Sequence, residues 1–305
     1  MELTQEHSDQ ITASVTESTD PRYQELDLMS TEGILQAMNQ ADRLVPEAIS
    51  QVISQIARAV EAAAAGMAQG GRLLYVGAGT SGRLGVLDAS EIPPTFSVDP
   101  ARVVGIIAGG DHALRHAIEG AEDDYAAGRT DLLGYRLSEN DTVVGITASG
   151  RTPYVLGAIA AAQEAGATTV GISNNSPSDL GTLADIPIEV VVGPEIVSGS
   201  TRLKAGTAQK LVLNMISTGT MIRLGKTYGN LMVDVSATNK KLQVRAQNLV
   251  MRITGCELEQ AKAALAEADG NVKVASVALL RSLSAAEAKD LLAESGGFLR
   301  AALDA

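Results

Sequence analysis

Five short apolar runs, separated by helical patterns, constrain the fold of this 305-residue chain most strongly. They are rich in β-branched residues and apolar at successive positions, as strands are when a parallel sheet is covered on both faces. This alternation predicts an α/β fold, a three-layer doubly wound parallel sheet. The runs begin at Arg72 (RLLYV), Arg102 (RVVGIIA), Thr142 (TVVGITA), Thr168 (TTVGIS) and Pro187 (PIEVVV).

The segments before and after the predicted sheet have different sequence patterns from it. Residues 1–56 begin with a polar arm and continue as helices, and residues 57–224 form the predicted sheet domain. A connecting segment covers residues 225–244. Residues 245–305 carry several short amphipathic patterns broken at Gly and Asn, which predicts a small helical module.

Composition narrows the possible partners and the compartment. The formal net charge is −12 and no basic stripe offsets it, so nucleic acid and anionic membranes are poor partners. The one cysteine, Cys256, rules out an internal disulfide and fits a reducing compartment. The chain starts without a signal-peptide pattern or a membrane span, so we expect a cytoplasmic protein.

A glycine loop after the first predicted strand indicates an anion site. Gly77, Gly79 and Gly82 form the G-x-G-x-x-G pattern of dinucleotide enzymes, and Asp111 could then bind a ribose. However, the hydroxyl loop recurs: Ser81-Gly82-Arg83 is repeated as Ser149-Gly150-Arg151, and the next strand ends in Ser-Asn-Asn-Ser. Several hydroxyl loops at one sheet edge favour a phosphomonoester, and nicotinamide binding would test the dehydrogenase alternative.

These motifs resemble a known family. GAGTSGRLGVLDASE with SGRTPYV is similar to the sugar isomerase (SIS) domain, a phosphosugar-binding fold. GPEIVSGSTRLKAGTAQK resembles the signature shared by the glucokinase regulatory protein and the N-acetylmuramic acid 6-phosphate etherases. GNLMVDVSATNKKL and GGFLR resemble the etherases specifically, and the resemblance runs from about Thr16 to Phe298. It implies that the C-terminal module is ubiquitin-associated-like.

The resemblance implies an activity and two catalytic residues. Members of this family remove the D-lactyl ether from N-acetylmuramic acid 6-phosphate with water, by elimination and then hydration, in cell-wall amino-sugar catabolism and peptidoglycan recycling. Glu91 in DASE and Glu122 in EGAE match the two active-site glutamates, and each is expected on a helix. We assign Glu91 as the acid that protonates the departing lactate and Glu122 as the base at C2, although a helical glutamate is ordinarily a solvated surface residue.

The resemblance and the loops together give the expected binding residues. Loop cations should offset the net charge of the chain, and Arg202 and Lys204 are the candidates for a site built partly across a homodimer interface. The arm departs from the family pattern, because Ser18-Thr19 follows Thr16-Glu17 where Arg-Asn is usual. The expected substrate- or phosphate-binding residues are Thr80, Ser81, Gly82, Thr147, Ser149, Gly150, Thr152, Arg202 and Lys204.

Neither a metal nor another cofactor is expected, since the elimination needs only an acid and a base. His7, His112 and His116 lack further ligands at metal spacing. The main alternative function is a non-catalytic sugar-phosphate-sensing regulator, which would bind the substrate without releasing lactate. An aldose–ketose isomerase would also release none. A SIS transcription factor would need an N-terminal helix-turn-helix, and a glutamine-dependent aminotransferase would need an N-terminal cysteine. The sequence shows neither feature, which argues against both classes.

Overall fold

The computed structural model describes residues 14–235 and 240–305 and confirms a five-stranded parallel sheet. The strand order is β2-β1-β3-β4-β5, with all neighbours parallel. The apolar runs predicted these five strands. The last strand ends at Glu189, three residues before the end of the apolar run PIEVVV. The strands are β1 Leu73–Gly77, β2 Val103–Ile107, β3 Thr142–Ile146, β4 Thr168–Ser173 and β5 Ile186–Glu189.

Helices cover both faces of this sheet. On one face the sheet and its helices share an apolar cluster that includes Leu74, Val143 and Ile159. On the other, the buried Tyr75 hydroxyl of β1 donates to Asp88, and Asn214 donates to the same carboxylate. The helices of this part are α1 Thr31–Asp42, α2 Leu44–Ser50, α3 Ile53–Ala68, α4 Gly79–Phe96, α5 Tyr125–Leu133, α6 Pro153–Glu164, α7 Asp179–Leu183 and α8 Lys204–Arg223.

A buried carboxylate joins the amino ends of β1 and β3. Asp141 is 1% exposed and accepts hydrogen bonds from Arg72 Nε, Arg72 Nη2 and the backbone N–H groups of Arg72 and Ser138. Burial opposes its ionisation, but the Arg72 guanidinium and the Ser138 N–H outweigh burial, so the pKa of Asp141 lies below its ordinary value. The carboxylate therefore stabilises the start of two adjacent strands.

The second part of the structure is helical. It contains a two-residue hairpin, β6 Thr227–Tyr228 and β7 Leu231–Met232, which the sequence did not predict. Its core includes Val250, Ala275 and Leu299, and the buried Lys273 ammonium donates to Asp234. The ubiquitin-associated-like assignment stays a prediction. The helices are α9 Lys240–Thr254, α10 Leu258–Glu267, α11 Val272–Arg281, α12 Ala285–Glu294 and α13 Leu299–Asp304.

The chain groups into two compact units, each made of two stretches. The first runs to Ser90 and resumes over Ala101–Ser217, and the second comprises Glu91–Pro100 and Thr218–Ala305. Both α4 and α8 contribute residues to each unit. The predicted four-segment division stays a prediction. No helix within the described ranges is both long and apolar enough to cross a membrane.

Candidate active site

A cavity of about 390 Å³ lies at the carboxyl edge of the sheet. It opens where the chain leaves β1 and β3, the adjacent strands at which the strand order reverses, and open α/β sheets bind ligands at this point. The lining residues come from the loops after β1 and β3, a short turn after β2, the arm, and the segment just before α8. They are Thr16, Glu17, Ala78, Gly79, Thr80, Ser81, Glu122, Asp123, Ile146, Thr147, Ala148, Ser149, Arg151, Thr152, Pro153 and Thr201.

Three predicted hydroxyls meet in the loop after β3. Thr147 Oγ1 lies 2.6 Å from Thr152 Oγ1 and 3.1 Å from Ser149 Oγ. Two hydrogen bonds among three hydroxyls leave at least one hydroxyl hydrogen for a ligand. The N-terminus of α6 begins at Pro153 beside them, and a helix N-terminus favours an anion. The arrangement has the chemistry of a phosphate cradle.

The loop after β1 brings Thr80 and Ser81 to the same cavity. Both residues lie in the first turn of α4, which therefore also points its N-terminus at the cavity. Gly82, in contrast, faces the sheet: a Cβ there would lie 2.6 Å from Ile107 Cγ1 and 2.7 Å from Gly77 O. This glycine is needed for helix–strand packing, and its predicted ligand contact stays a prediction.

Gly150 has a similar structural explanation. It adopts a φ of +75°, and a Cβ there would collide with the side chain of Ser178. Gly150 does not line the cavity, but its backbone turns the chain so that Ser149 and Arg151 do. The contact between Gly150 and a ligand stays a prediction.

Of the two predicted catalytic glutamates, the structure brings one to this cavity. Glu122 lines it, together with Asp123 and Glu17. The expectation of a helix at Glu122 was wrong, because Asp124 caps α5 through the N–H of Ala127 and that helix starts later, at Tyr125. Glu122 instead lies on the 3-10 turn Ala121–Asp123 and is exposed.

Glu91 does lie on a helix, as expected. It is exposed, near the end of α4. It is not among the residues that line the cavity. Its catalytic role stays a prediction, because Glu122 lines the cavity of its own chain and Glu91 does not.

The predicted cations also lie outside the cavity. Arg202 is exposed, and Lys204 is 2% exposed, with its ammonium donating to Val192 O at 2.8 Å. Burial lowers the pKa of Lys204, against the opposing effect of Glu195. The same glutamate caps α8 by accepting from the N–H groups of Lys204 and Ala205. Of the loop cations, Arg151 lines the cavity.

The arm supplies a wall that the sequence did not predict. Thr16 is 2% exposed; its N–H donates to Asn175 Oδ1 at 3.3 Å, and Asn175 Nδ2 donates to Thr16 Oγ1 at 2.9 Å. The same Nδ2 donates to Ala148 O at 3.1 Å, which ties the arm to the loop after β3. The Ser-Asn-Asn-Ser loop therefore anchors the arm and does not itself line the cavity.

Thr16, Glu17, Asp123 and Thr201 line the cavity with polar side chains that belong neither to the expected site residues nor to the repeated Ser-Gly-Arg loop. Thr16 and Glu17 open the stretch that resembles the family, and this was the one signal that could have identified them. His112 and His116 stack with ring centroids 4.5 Å apart, and His7 lies outside the described residues. Within the described ranges, no three His, Cys, Asp or Glu side chains are grouped as metal ligands would be.

Comparison with known proteins identifies the relatives of the chain. Residues 55–163 match the glucokinase regulatory protein N-terminal SIS domain, and residues 130–218 match the SIS domain. An N-acetylmuramic acid 6-phosphate etherase from Brucella anthropi is 55% identical over 291 residues, 95% of each chain. The one from Pasteurella multocida is 55% identical over 96% of this chain and 97% of its own. A solved phosphoheptose isomerase from Francisella tularensis has a TM-score of 0.49 and 19% identity, covering 64% of this chain and 100% of its own.

Proposed function

Because this chain belongs to the N-acetylmuramic acid 6-phosphate etherase family, we propose that it removes the D-lactyl ether from N-acetylmuramic acid 6-phosphate. Water is consumed, and the products are N-acetylglucosamine 6-phosphate and D-lactate. The reaction would serve cell-wall amino-sugar catabolism and peptidoglycan recycling, in the cytoplasm. The observation that carries the proposal is one cavity that combines the hydroxyls of Thr147, Ser149 and Thr152 with the carboxylate of Glu122.

The hydroxyl groups and the Glu122 carboxylate have different roles in the proposed reaction. The hydroxyls and the N-terminus of α6 hold the phosphate, which anchors the open-chain sugar. The C2–H bond is acidified by the C1 aldehyde, and Glu122 takes its proton. The C3–O bond then breaks, and its electron pair leaves with the lactyl oxygen, which an acid protonates. Water adds across the C2–C3 double bond, with its hydroxyl at C3 and a proton at C2.

We assign the acid to Glu91 of a second copy of the chain. Glu91 is exposed on α4, and Leu87, one turn earlier on the same side of the helix, is 53% exposed. An apolar residue beside an isolated candidate acid is consistent with a homodimer in which α4 packs near the partner's cavity. Such a dimer would complete each site with one glutamate from each chain.

Lactate release tests the reaction. Purified protein is incubated with N-acetylmuramic acid 6-phosphate in oxygen-18-labelled water without added metal, and D-lactate is assayed. We expect lactate, with the label at C3 of the glucosamine product. Tight binding without lactate would instead favour the sugar-phosphate-sensing regulator, and absence of both would refute the proposed function.

Mixing two inactive variants tests the shared site. Glu91→Gln and Glu122→Gln should each lose activity by about 100-fold or more. After subunits exchange in an equal mixture, half of the dimers carry one variant of each kind, and one of their two sites keeps both glutamates. Activity should therefore return to about a quarter of the wild-type value. A mixture that stays inactive although the subunits have exchanged would mean that each chain supplies both glutamates to its own site.

A further inference from the structure

A chain of four hydrogen-bonding groups leads from the cavity into the protein. Ser81 Oγ donates to Gln209 Oε1 at 2.9 Å, and Gln209 Nε2 donates to Asn174 Oδ1 at 3.0 Å. Asn174 Nδ2 then donates to the backbone oxygen of Val190 at 3.0 Å. Gln209 and Asn174 are each 1% exposed, and Ser81 is 7% exposed. We call this set the Ser81 chain.

The direction of the Ser81 chain follows from its last member. A backbone carbonyl oxygen can only accept, so Asn174 must turn its amide nitrogen toward Val190 and its oxygen toward Gln209. Gln209 must then donate to Asn174 and offer its own oxygen to Ser81. Reversing either amide would bring two acceptor oxygens together in a buried site, which is costly. The hydroxyl hydrogen of Ser81 is therefore directed away from the cavity.

From this direction we infer that Ser81 accepts a hydrogen bond from the substrate and does not donate one to its phosphate. A hydroxyl has one hydrogen, and the one on Ser81 is used by Gln209, so the cavity sees only oxygen lone pairs. A phosphate dianion has no hydrogen to give, whereas a sugar hydroxyl or an amide N–H has one. Ser81 thus recognises the sugar or its acetamido group, and the phosphate belongs with Thr147, Ser149 and Thr152. Gln209 and Asn174 are positioning residues.

This inference rests on the proposed function only for its ligand, an N-acetylated hexosamine phosphate. Binding of N-acetylglucosamine 6-phosphate and of inorganic phosphate is measured by calorimetry at pH 8, where phosphate is a dianion. We expect Ser81→Ala to weaken the binding of the sugar phosphate by about 5- to 10-fold, which is the factor for one lost hydrogen bond. The affinity for inorganic phosphate should change by less than about twofold. Ser149→Ala should weaken both ligands by similar factors. Equal weakening of both ligands by Ser81→Ala would overturn the inference.

Gln209→Met tests whether the positioning role acts through Ser81. Without its acceptor, the Ser81 hydroxyl can rotate, so the affinity ratio of sugar phosphate to phosphate should fall, as it does in Ser81→Ala. Combining the two changes should lower the ratio no further than Ser81→Ala alone, since coupled residues are not additive. A further fall in the double variant would mean that Gln209 acts by general destabilisation and would overturn its positioning role. Gln163→Met, which removes one hydrogen bond to Leu183 O elsewhere in the same unit, is the matched control.

Failure of the inference and failure of the proposed function give different results. If the wild type binds both ligands but releases no lactate, the proposed function is wrong, and the affinity ratios still decide the role of Ser81. If the wild type binds phosphate but not the sugar phosphate, the inference is wrong. If it binds neither, both are wrong.

Discussion

Replacing Asn175 with alanine should release the arm from the cavity while the sheet stays folded. The amide of Asn175 makes two hydrogen bonds to Thr16, at 3.3 and 2.9 Å. Each contributes about 0.5–1.5 kcal/mol net, so detaching the arm becomes easier by about 1–3 kcal/mol. This raises the detached population by about 5- to 150-fold. The bonds from Ser198 Oγ to the Glu17 and Ser18 carbonyl oxygens remain, but at 3.4 and 3.3 Å they are long.

Hydrogen exchange of the arm reports this population directly. The N–H groups of Glu17 and Ser18 bond to Ser14 O and Val15 O within the 3-10 turn of the arm, and so short a turn should open when the arm detaches, so their exchange rates should rise by the same 5- to 150-fold in Asn175→Ala (about 1–3 kcal/mol). The N–H of Thr16 is not a reporter, because the substitution itself removes its acceptor. The matched control is Ser176→Ala, which removes a neighbouring side chain that bonds Glu189 and not the arm. Unchanged exchange in Asn175→Ala, or an equal rise in Ser176→Ala, would refute the reasoning. The KM for substrate should rise in Asn175→Ala alone, because the detached arm no longer forms a wall.

Two further predictions concern stability. Gly82→Ala should lower the free energy of unfolding by roughly 1–3 kcal/mol, because the new Cβ would lie 2.6 Å from Ile107 Cγ1; an unchanged melting temperature would contradict this. Asp141→Asn should cost roughly 1–3 kcal/mol at pH 7, because it removes the buried charge that accepts hydrogen bonds from the partly exposed Arg72 guanidinium. The folded pKa of Asp141 lies below the unfolded value near 3.8, so its stabilisation is present above that value and is lost as pH falls through the folded pKa. Urea unfolding should therefore show a smaller difference between wild type and Asp141→Asn at pH 3 than at pH 7, and an equal difference at both would contradict the assignment.

The sheet and the hydroxyl loops could be predicted because their signals are local. Each apolar run is a strand, and parallel strands bring their carboxyl ends to one edge, so Thr147 and Thr80 had to lie near each other. The glycines were harder to interpret. A loop glycine fits close approach of a ligand or of another backbone equally well, and for Gly82 and Gly150 the structure shows protein atoms at the position of the missing Cβ.

The remaining site residues depend on contacts that leave no local pattern. Thr16 meets Asn175 from 159 positions away, and Ser81 meets Gln209 from 128 positions away. Lys204 looked like a substrate cation because it follows a hydroxyl-rich loop. The structure buries its ammonium against Val192 O, and nothing near Lys204 in the sequence indicates this.

The attachment of the arm bears on how the protein is prepared. Thr16 of the arm is bonded to Asn175, and Thr16 and Glu17 form part of the cavity lining. A protease that cuts after Ser18 would remove this lining without touching any strand of the sheet, and the trimmed protein could give a normal circular dichroism spectrum. Intact mass should therefore be checked before any preparation of this protein is judged inactive.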